Sequence, residues 1–319
     1  MFDIVGVDYP CVDLNVNVDK LPKSNGGIRI NDLSWQGGGK VSSGLVTAAR
    51  LGARCSIFGA VGDDRFGRFC KQDFIRHNID VEYLQSRKGE TTSLSIVLSD
   101  RETMGRSIVF YPGTAGKLTE EEIPEDALRN TKYFFMAGVD EISKRSAAIA
   151  KTSGAKIFID ADIYSESLKE FIPNIDIFVA SEFVYRGLFD NENYEENCRQ
   201  IMDLGPEIVV FTFGERGAVG MSSEGYFKIP AYSVEVVDTV GAGDDFHGAF
   251  LAGLLQDGWS VAFIAQFASA VSAIKCTCIG GRAGIADMNT VLEFMKSGNI
   301  DYSEINQRLE YYRRGIDYV

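Results

Sequence analysis

The alternation of apolar and helix-like segments from Lys132 onward limits the possible folds more than any other feature of the sequence. Continuous apolar runs predict buried strands at 133–137, 156–160, 175–179 and 208–212. Amphipathic stretches around 143–153, 182–189 and 193–204 separate these runs. Strands that alternate with helices predict an α/β fold of three layers, α/β/α, around a mainly parallel sheet.

Polar residues follow several of these predicted strands. Ligands of parallel sheets bind beside the carboxyl ends of the strands. The candidates there are Asp160, Asp162, Ser181, Glu182, Thr212 and Gly214. We therefore expect a ligand site along this edge of the sheet.

The segment 238–250, which reads DTVGAGDDFHGAF, is the most specific motif in the chain. The apolar run 234–237 predicts a strand before it, and the glycines predict a tight turn that opens a helix reaching about residue 257. Unpaired amides and the helix dipole make such a turn an anion site. Asp244, in the first turn, is either a helix-stabilising acid or a general base beside a phosphate. The glycines and Asp245 favour the catalytic interpretation.

The N-terminal third has shorter, alternating segments. Apolar residues at 12, 14, 16 and 18 alternate with polar ones, which predicts a half-buried strand with one solvated face. Another short strand is predicted at 28–30, and a hairpin at 92–98 and 107–111. Three successive glycines, 37–39, precede Lys40 and a helix predicted at 45–51. The spacing does not fit a Walker P-loop, so we expect a backbone that approaches a small ligand closely.

The Asp-Thr-x-Gly-Ala-Gly-Asp motif resembles the C-terminal signature of the ribokinase-like (PfkB) carbohydrate kinases. The glycines before Lys40, followed by Ala-Arg-Leu-Gly at 49–52, resemble the N-terminal signature, and the similarity runs from about residue 5 to 294. It implies a ribokinase-like fold, a single kinase domain over 1–319 and a small β-sheet lid formed by about 12–36 and 91–112. The loop at 275–285 is similar to that of the ketohexokinase and sulfofructose kinase branch.

The resemblance also implies a reaction, in which the γ-phosphate of ATP passes to a hydroxymethyl group of a small sugar or sugar acid, with a ketose favoured. It implies Asp244 as catalytic base, with phosphate donors at Gly241, Ala242 and Gly243. The acceptor would be held by Asp13, Gly38, Gly39, Lys40 and Ser43. The nucleotide would lie near Ser181, Thr212, Gly214, Gly217, Lys275 and Gly284. Mg²⁺ would be held through waters by Asp162 and Glu182, and K⁺ by Asp238.

The chain departs from the family pattern at several positions. Val41 replaces a usual glycine, Ser43 stands where Asn is common, and Ser181 and Val184 replace polar residues of an Asn-Glu-x-Glu motif. These departures leave the acceptor open. An anionic acceptor could meet Arg29, Lys40 and Arg106, although basic side chains in loops are more often solvated.

Three other functions are compatible with parts of this sequence or with its fold class. A nucleoside kinase on the same fold and a non-catalytic sugar sensor stay possible. A dinucleotide oxidoreductase does not, because no Gly-x-Gly-x-x-Gly follows the first strand.

Composition sets the remaining limits. A net charge of −13 disfavours nucleic acid and anionic membranes as partners. The first residues lack the regions of a signal peptide, and six scattered cysteines indicate reduced thiols, so we expect a cytoplasmic protein. With two histidines, histidine-based metal chemistry is not expected. A small lid sheet leaves an apolar face uncovered, which favours a homodimer through the lid.

Overall fold

The computed structural model describes residues 1–103 and 105–316. The strands are β1 Phe2–Val7, β2 Cys11–Val18, β3 Asp32–Gly38, β4 Cys55–Gly62, β5 Leu84–Arg87, β6 Ser93–Asp100, β7 Arg106–Tyr111, β8 Thr131–Met136, β9 Lys156–Ala161, β10 Ile177–Ser181, β11 Ile208–Thr212, β12 Ala218–Ser222 and β13 Gly225–Ile229. The α-helices are α1 Lys40–Arg50, α2 Arg65–Arg76, α3 Glu125–Arg129, α4 Glu141–Lys151, α5 Glu166–Phe171, α6 Glu182–Leu188, α7 Tyr194–Met202, α8 Ala242–Leu254, α9 Val261–Cys276, α10 Met288–Ser297 and α11 Ser303–Arg313.

The large sheet has the strand order β13-β12-β11-β10-β9-β8-β1-β4-β5. Its strands run parallel from β11 to β5, and β12 and β13 add an antiparallel hairpin at one edge. Parallel strands bury both faces, which explains their continuous apolar sequences. The predicted parallel sheet is confirmed.

Helices cover both faces of this sheet, and alternate residues of each strand supply two separate cores. Ile4 and Phe158 pack into the core beneath α1, α2, α8 and α9. Their neighbours Val5 and Ile159 pack into the core beneath α3 to α7. The three-layer α/β/α architecture is therefore confirmed, and all six cysteines are free and buried, as predicted.

Helices α1 and α8 cross at very close range. A Cβ atom on Gly248 would collide with the carbonyl group of Gly44, and one on Gly44 would press on the carbonyl oxygen of Asp244. Only glycine at both positions permits this approach, which places the first turn of α8 against α1.

A second, smaller sheet has the order β3-β2-β6-β7 and forms the predicted lid. Pairs β2–β3 and β6–β7 are antiparallel, whereas β2–β6 is parallel. The sequence prediction of a solvated polar face on β2 is wrong. Asn15 and Asn17 are buried, because this polar face turns inward, where Asn17 Nδ2 reaches the carbonyl oxygen of Val237 at 3.5 Å.

Three predicted boundaries also differ. Residues 28–30 form no strand, since pairing with β2 begins only at Asp32. The run 234–237 is no strand either, because the amide of Val237 donates to the carbonyl of Cys276 at the end of α9, and α8 ends at Leu254.

Candidate active site

The first turn of α8 is built to hold an anion. Gly241 precedes the helix with a φ of 77°, in the left-handed region that glycine adopts without strain. No side chain caps the helix, and the amides of Gly243 and Asp244 donate to no other group within the described part of the chain. The amide of Ala242, predicted as a phosphate donor, instead donates to the carbonyl of Thr239 at 3.2 Å. The unpaired amides at a helix N-terminus attract an anion.

Asp238 fixes this turn in place. Its buried carboxylate accepts hydrogen bonds from the Ser99 hydroxyl at 2.9 Å and from the amides of Val240 and Gly280 at 2.9 and 2.8 Å. Because Ser99 belongs to β6, Asp238 ties the lid to the turn. The cation that the structure places at Asp238 is the ammonium of Lys275, which donates to the Asp238 carbonyl at 2.8 Å.

Asp244 is half-buried beside the turn, and its pKa lies well above the usual range. Desolvation by the surrounding protein is the main cause, and the nearby Asp160 carboxylate is the next, while Lys40 opposes both. Burial also raises the pKa of Asp160, to about 7, with Asp162 and Asp8 adding to the effect and Lys40 opposing it. A carboxylate that binds a proton this readily is suited to accept one from a hydroxyl group.

His247 lies one helical turn beyond Gly243. Its Nδ1 is 2.6 Å from the Gly243 carbonyl oxygen and 3.5 Å from Asp160 Oδ2. A carbonyl can only accept, so Nδ1 carries a proton. Burial lowers the pKa of His247 to about 4, so the ring is neutral at pH 7. This neutral imidazole tethers the first turn of α8.

Lys40 and Asp162 form an ion pair of 2.6 Å where α1 begins and β9 ends. Burial favours the neutral form of Asp162, yet the hydrogen bond and charge of Lys40 lower its pKa. Ser181, at the end of β10, donates to the Asp162 carbonyl at 3.2 Å. Lys40, predicted as an acceptor ligand, is therefore paired with the Asp162 carboxylate at the end of β9.

The residues predicted to hold the acceptor, called the acceptor cradle from here on, come from β2, β3 and α1. They are Asp13, Gly38, Gly39, Lys40 and Ser43. A Cβ atom on Gly38 would collide with the Asp13 carboxylate, so only glycine allows these two to meet. Asp8 accepts from the amide of Ser42 at 2.7 Å, which caps α1 from outside the helix. Burial raises the pKa of both Asp8 and Asp13. Ser43, by contrast, is buried on the inner face of α1.

The predicted nucleotide residues Thr212, Gly214 and Gly217 lie at the end of β11, in the turn that leads to β12. Thr212 pairs with Ser181 across the sheet edge. Glu182 lies nearby, but Arg216 at 2.6 Å and Arg186 at 2.7 Å both bind it and lower its pKa. Asp162 and Glu182 are thus each held by basic side chains.

Four predicted residues lie away from this edge. Lys275 is fully buried in α9, and Gly284 packs against its backbone, so neither is open to a nucleotide. Arg29 lies exposed in the loop before β3. Arg106 is exposed at the start of β7, opposite Ser99, and therefore on the face of the lid that turns inward.

Residues 1–288 match the sequence profile of a family described as pfkB family carbohydrate kinase. The chain belongs to this family. It is therefore a carbohydrate kinase, a phosphotransferase, rather than a non-catalytic sugar sensor.

Curated relatives of this kinase are similar over most of their length. A 5-dehydro-2-deoxygluconokinase of Clostridium perfringens is 27% identical over 96% of both chains. An aminoimidazole riboside kinase of Salmonella typhimurium is 26% identical over 90% of this chain and 94% of its own. A solved structure of a proposed ribokinase II of Escherichia coli with ATP and Mg²⁺ has a TM-score of 0.81 at 23% identity, covering 93% of this chain and 99% of that one. That likeness confirms the fold.

Sequence patterns missed Asp8 and His247 as participants in the kinase's site, and they gave Asp160, a candidate at a strand end, no specific role. Asp8 directly follows β1, and Asp160 lies near the end of β9, so the rule of polar residues at strand ends points to both. No sequence signal marks His247, because its role depends on the approach of α8 to β9.

Within residues 1–103 and 105–316, no helix is long and apolar enough to cross a membrane. The same described residues hold no group of three or more His, Cys, Asp or Glu side chains arranged to bind a metal ion.

Proposed function

We propose that this kinase transfers the γ-phosphate of ATP to a hydroxymethyl group of a small sugar or sugar acid. One observation carries the proposal: Asp244, with a raised pKa, stands directly beside the unpaired amides of the α8 turn. A proton acceptor and an anion site in contact are what phosphoryl transfer to an alcohol requires.

The acceptor's hydroxyl groups would be held by Asp13 and by the backbone at Gly38 and Gly39. Asp8 acts on both regions, since it lies against Gly39 and its charge raises the pKa of Asp244. As the acceptor oxygen forms a bond to the γ-phosphorus, the bond from that phosphorus to the bridging oxygen of ADP breaks and ADP leaves. The acceptor's hydroxyl proton would pass to a carboxylate oxygen of Asp244. The amides of Gly241, Gly243 and Asp244 stabilise the negative charge of the transferred group.

The site can bind the phosphates of ATP directly, but the basic partners of Asp162 and Glu182 limit direct contact between these carboxylates and Mg²⁺. The unpaired amides suit a phosphate, and Ser181, Thr212, Gly214 and Gly217 would hold the nucleotide beside them. Mg²⁺ would neutralise phosphate charge. It usually keeps several waters, so Asp162 and Glu182 would hold it through water, with their basic partners nearby. The ammonium of Lys275 supplies a fixed positive charge at Asp238, which argues against a need for K⁺ there.

A sugar acid is favoured by the arginines of the lid. Arg29 and Arg106 are exposed, and neither forms a salt bridge among the described residues. Lys40, in contrast, is already paired with Asp162. The Clostridium perfringens relative, whose name denotes a sugar-acid kinase, agrees with this choice. The carboxylate of the acceptor would meet these two guanidinium groups.

A nucleoside is the second candidate for the acceptor. Ile108 and Phe110 lie on the same face of the lid as Ser99, which turns inward, and both are exposed. An apolar, aromatic surface of this kind would suit a nucleobase. The similarity to an aminoimidazole riboside kinase supports this alternative.

The opposite face of β7 favours a second copy of the chain. Val109 and Tyr111 are 61% and 49% exposed there, and Leu33 of β3 is 40% exposed. We propose a homodimer through the lid, which light scattering would detect as twice the monomer mass.

The proposed function is tested by ADP release with ATP and Mg²⁺ against a panel of acceptors. The panel holds ketoses, aldopentoses, keto-deoxy sugar acids, sugar phosphates, sulfosugars and nucleosides. We expect acceptor-dependent ADP release that is strongest with a sugar acid. A stronger signal with nucleosides would favour the second candidate, and no acceptor-dependent release would contradict both.

A further inference from the structure

Helix α11 lies beyond the part of the chain that matches the kinase family, which ends at residue 288. It nevertheless carries polar side chains into the core. Tyr312 is 1% exposed and Arg308 is 8% exposed. Buried polar groups are costly unless they are paired, so their partners indicate what the helix does.

The partners of Tyr312 form a continuous chain to the acceptor cradle. Its hydroxyl donates to Asp73 Oδ1 at 2.7 Å, and Asp73 Oδ2 pairs with Arg282 Nη1 at 2.5 Å. Arg282 Nη2 then donates to the carbonyl oxygen of Gly38 at 3.1 Å. Gly38 is the residue against which the Asp13 carboxylate lies. Three polar side chains therefore join α11 to the backbone proposed to hold the acceptor.

The side chains in this chain of contacts are buried, and two of them carry opposite charges. Asp73 and Arg282 are both 0% exposed. Burial opposes the charge of Asp73, but Arg282, His77 and the Tyr312 hydroxyl together lower the carboxyl pKa. A buried ion pair is stable only when its remaining hydrogen-bonding positions are filled. The Tyr312 hydroxyl fills one of them.

His77 completes the polar network from the other side. Its Nε2 is 2.9 Å from the Tyr312 hydroxyl oxygen, and burial lowers the His77 pKa to about 3. Because the single hydroxyl proton of Tyr312 is donated to Asp73, Nε2 must donate to that oxygen. The Asp73 carboxylate, which can only accept, therefore fixes the direction in which Tyr312 donates, and the neutral His77 ring donates to the hydroxyl oxygen.

The contact between Arg282 and β3 is too tight for independent movement. A Cβ atom on Gly37 would collide with the Arg282 guanidinium. A shift of that guanidinium would therefore displace Gly37 and Gly38 with it.

Two arginines of α11 bind segments that lie next to the acceptor cradle. Arg313 pairs with Asp32, the first residue of β3, at 2.6 Å. Arg308 donates to the carbonyl oxygen of Ala283 at 3.1 Å and also to that of Ile285. Helix α11 is thereby bound to the first residue of β3 directly and to its last residue through Asp73 and Arg282.

We propose that α11 contributes to the geometry of the acceptor site. In this proposal, Tyr312 is a positioning residue that fixes the positions of Gly38 and Asp13 through Asp73 and Arg282. The proposal rests on the proposed function in assigning the acceptor to Gly38 and Asp13. The link between α11 and β3 can be measured without any acceptor.

The neighbouring residue provides a matched control. The Tyr311 hydroxyl has no hydrogen-bond partner within the described residues, whereas that of Tyr312 has two. Tyr312→Phe and Tyr311→Phe each remove one hydroxyl from the same helix and leave the ring. Hydrogen exchange of peptides covering 33–39 in the whole protein is the first measurement. We expect exchange about tenfold faster in Tyr312→Phe and unchanged in Tyr311→Phe, the effect of losing one hydrogen bond to a charged group.

Kinetics with any acceptor that the wild type phosphorylates is the second measurement. Tyr312→Phe should raise KM for the acceptor about tenfold and leave KM for ATP and kcat within about twofold. Equal exchange rates in β3 for the two variants would overturn the proposal. Faster exchange with an unchanged acceptor KM would also overturn it, because α11 would then be purely structural. If the wild type phosphorylates no acceptor, the proposed function fails, and the exchange rates still decide whether Tyr312 fixes β3.

Discussion

The pKa values of two pairs of carboxyl groups at the same edge of the sheet are shifted in opposite directions. Asp244 and Asp160 are desolvated and close together, so the pKa of each is raised. Asp162 and Glu182 are bound by Lys40, Arg186 and Arg216, so the pKa of each is lowered. The first pair readily takes up a proton, whereas the second holds its negative charge. Under the proposed function, this contrast would give proton transfer to the carboxyl groups on the side of α8 and charge balance to those on the side of β10.

Lys40 acts on carboxyl groups of both pairs, so removing its charge should change the difference between their pKa values the most. Lys40→Met takes away the positive charge that opposes the raised pKa of Asp244 and Asp160. Their pKa values rise further, and less Asp244 is ionised at pH 7. We expect kcat at pH 7 to fall about tenfold for each unit of that rise.

The proposed mechanism needs the base form of Asp244, so activity should increase as the pH rises through the pKa of Asp244. The acidic limb of the kcat profile should move to higher pH in Lys40→Met and stay in place in Lys40→Arg, which keeps the charge. A limb that stays in place or moves to lower pH in Lys40→Met would contradict the electrostatic role of Lys40.

Asp160→Asn should have a smaller effect on activity than Lys40→Met, and its clearest effect should be on stability. The pKa of Asp160 is raised from 3.8 to about 7, so the folded protein binds this proton more tightly than the unfolded chain. The free energy of unfolding of the wild type therefore falls as the pH rises from about 4 to about 7. The variant lacks this dependence and should be more stable than the wild type at pH 8, by an amount on the order of a few kcal/mol.

Urea unfolding at pH 5 and pH 8 would measure this difference. A variant that is less stable than the wild type at pH 8 would show that Asp160 is ionised and paired in the folded protein.

Glu182→Gln should have the smallest effect. Its carboxylate is partly exposed and paired with two arginines, and exposed ion pairs contribute only about 0–1 kcal/mol. We expect kcat to stay within about threefold of the wild type at saturating Mg²⁺. A loss of tenfold or more, relieved by higher Mg²⁺, would show that Glu182 contributes more to Mg²⁺ binding than the proposed contact through water.

Local sequence patterns predicted most of the strands and helices, but not which face of each element is buried. Alternation in β2 shows two different faces, yet burial of Asn15 and Asn17 depends on where the whole lid lies. The sequence likewise placed Lys275 at a nucleotide. It is buried because α9 turns that residue toward Asp238, 37 positions earlier in the chain.

The candidate site was predicted best where one short segment forms it. The turn at Gly241–Asp244 is such a segment, and the structure leaves its amides unpaired as expected, except at Ala242. Contacts between distant segments could not be foreseen. Tyr312 and Asp73 are 239 residues apart, and nothing in either segment indicates the other.

Asp244 and Asp245 offer the most direct test of the central claim, that Asp244 is the base. Both carboxyl groups have a raised pKa, but Asp245 is fully buried and accepts a hydrogen bond from Thr47 at 2.7 Å. Transfer of labelled γ-phosphate to the acceptor, measured for Asp244→Asn and Asp245→Asn, would separate them.

We predict that Asp244→Asn folds, binds ATP and loses at least ~10²-fold in rate, the usual scale for a general base. Asp245→Asn replaces a buried carboxyl group, whose pKa is raised by desolvation, with an amide of the same shape, and should keep most of its activity. Full activity in Asp244→Asn, or an equal loss in both variants, would contradict the assignment of Asp244 as the catalytic base.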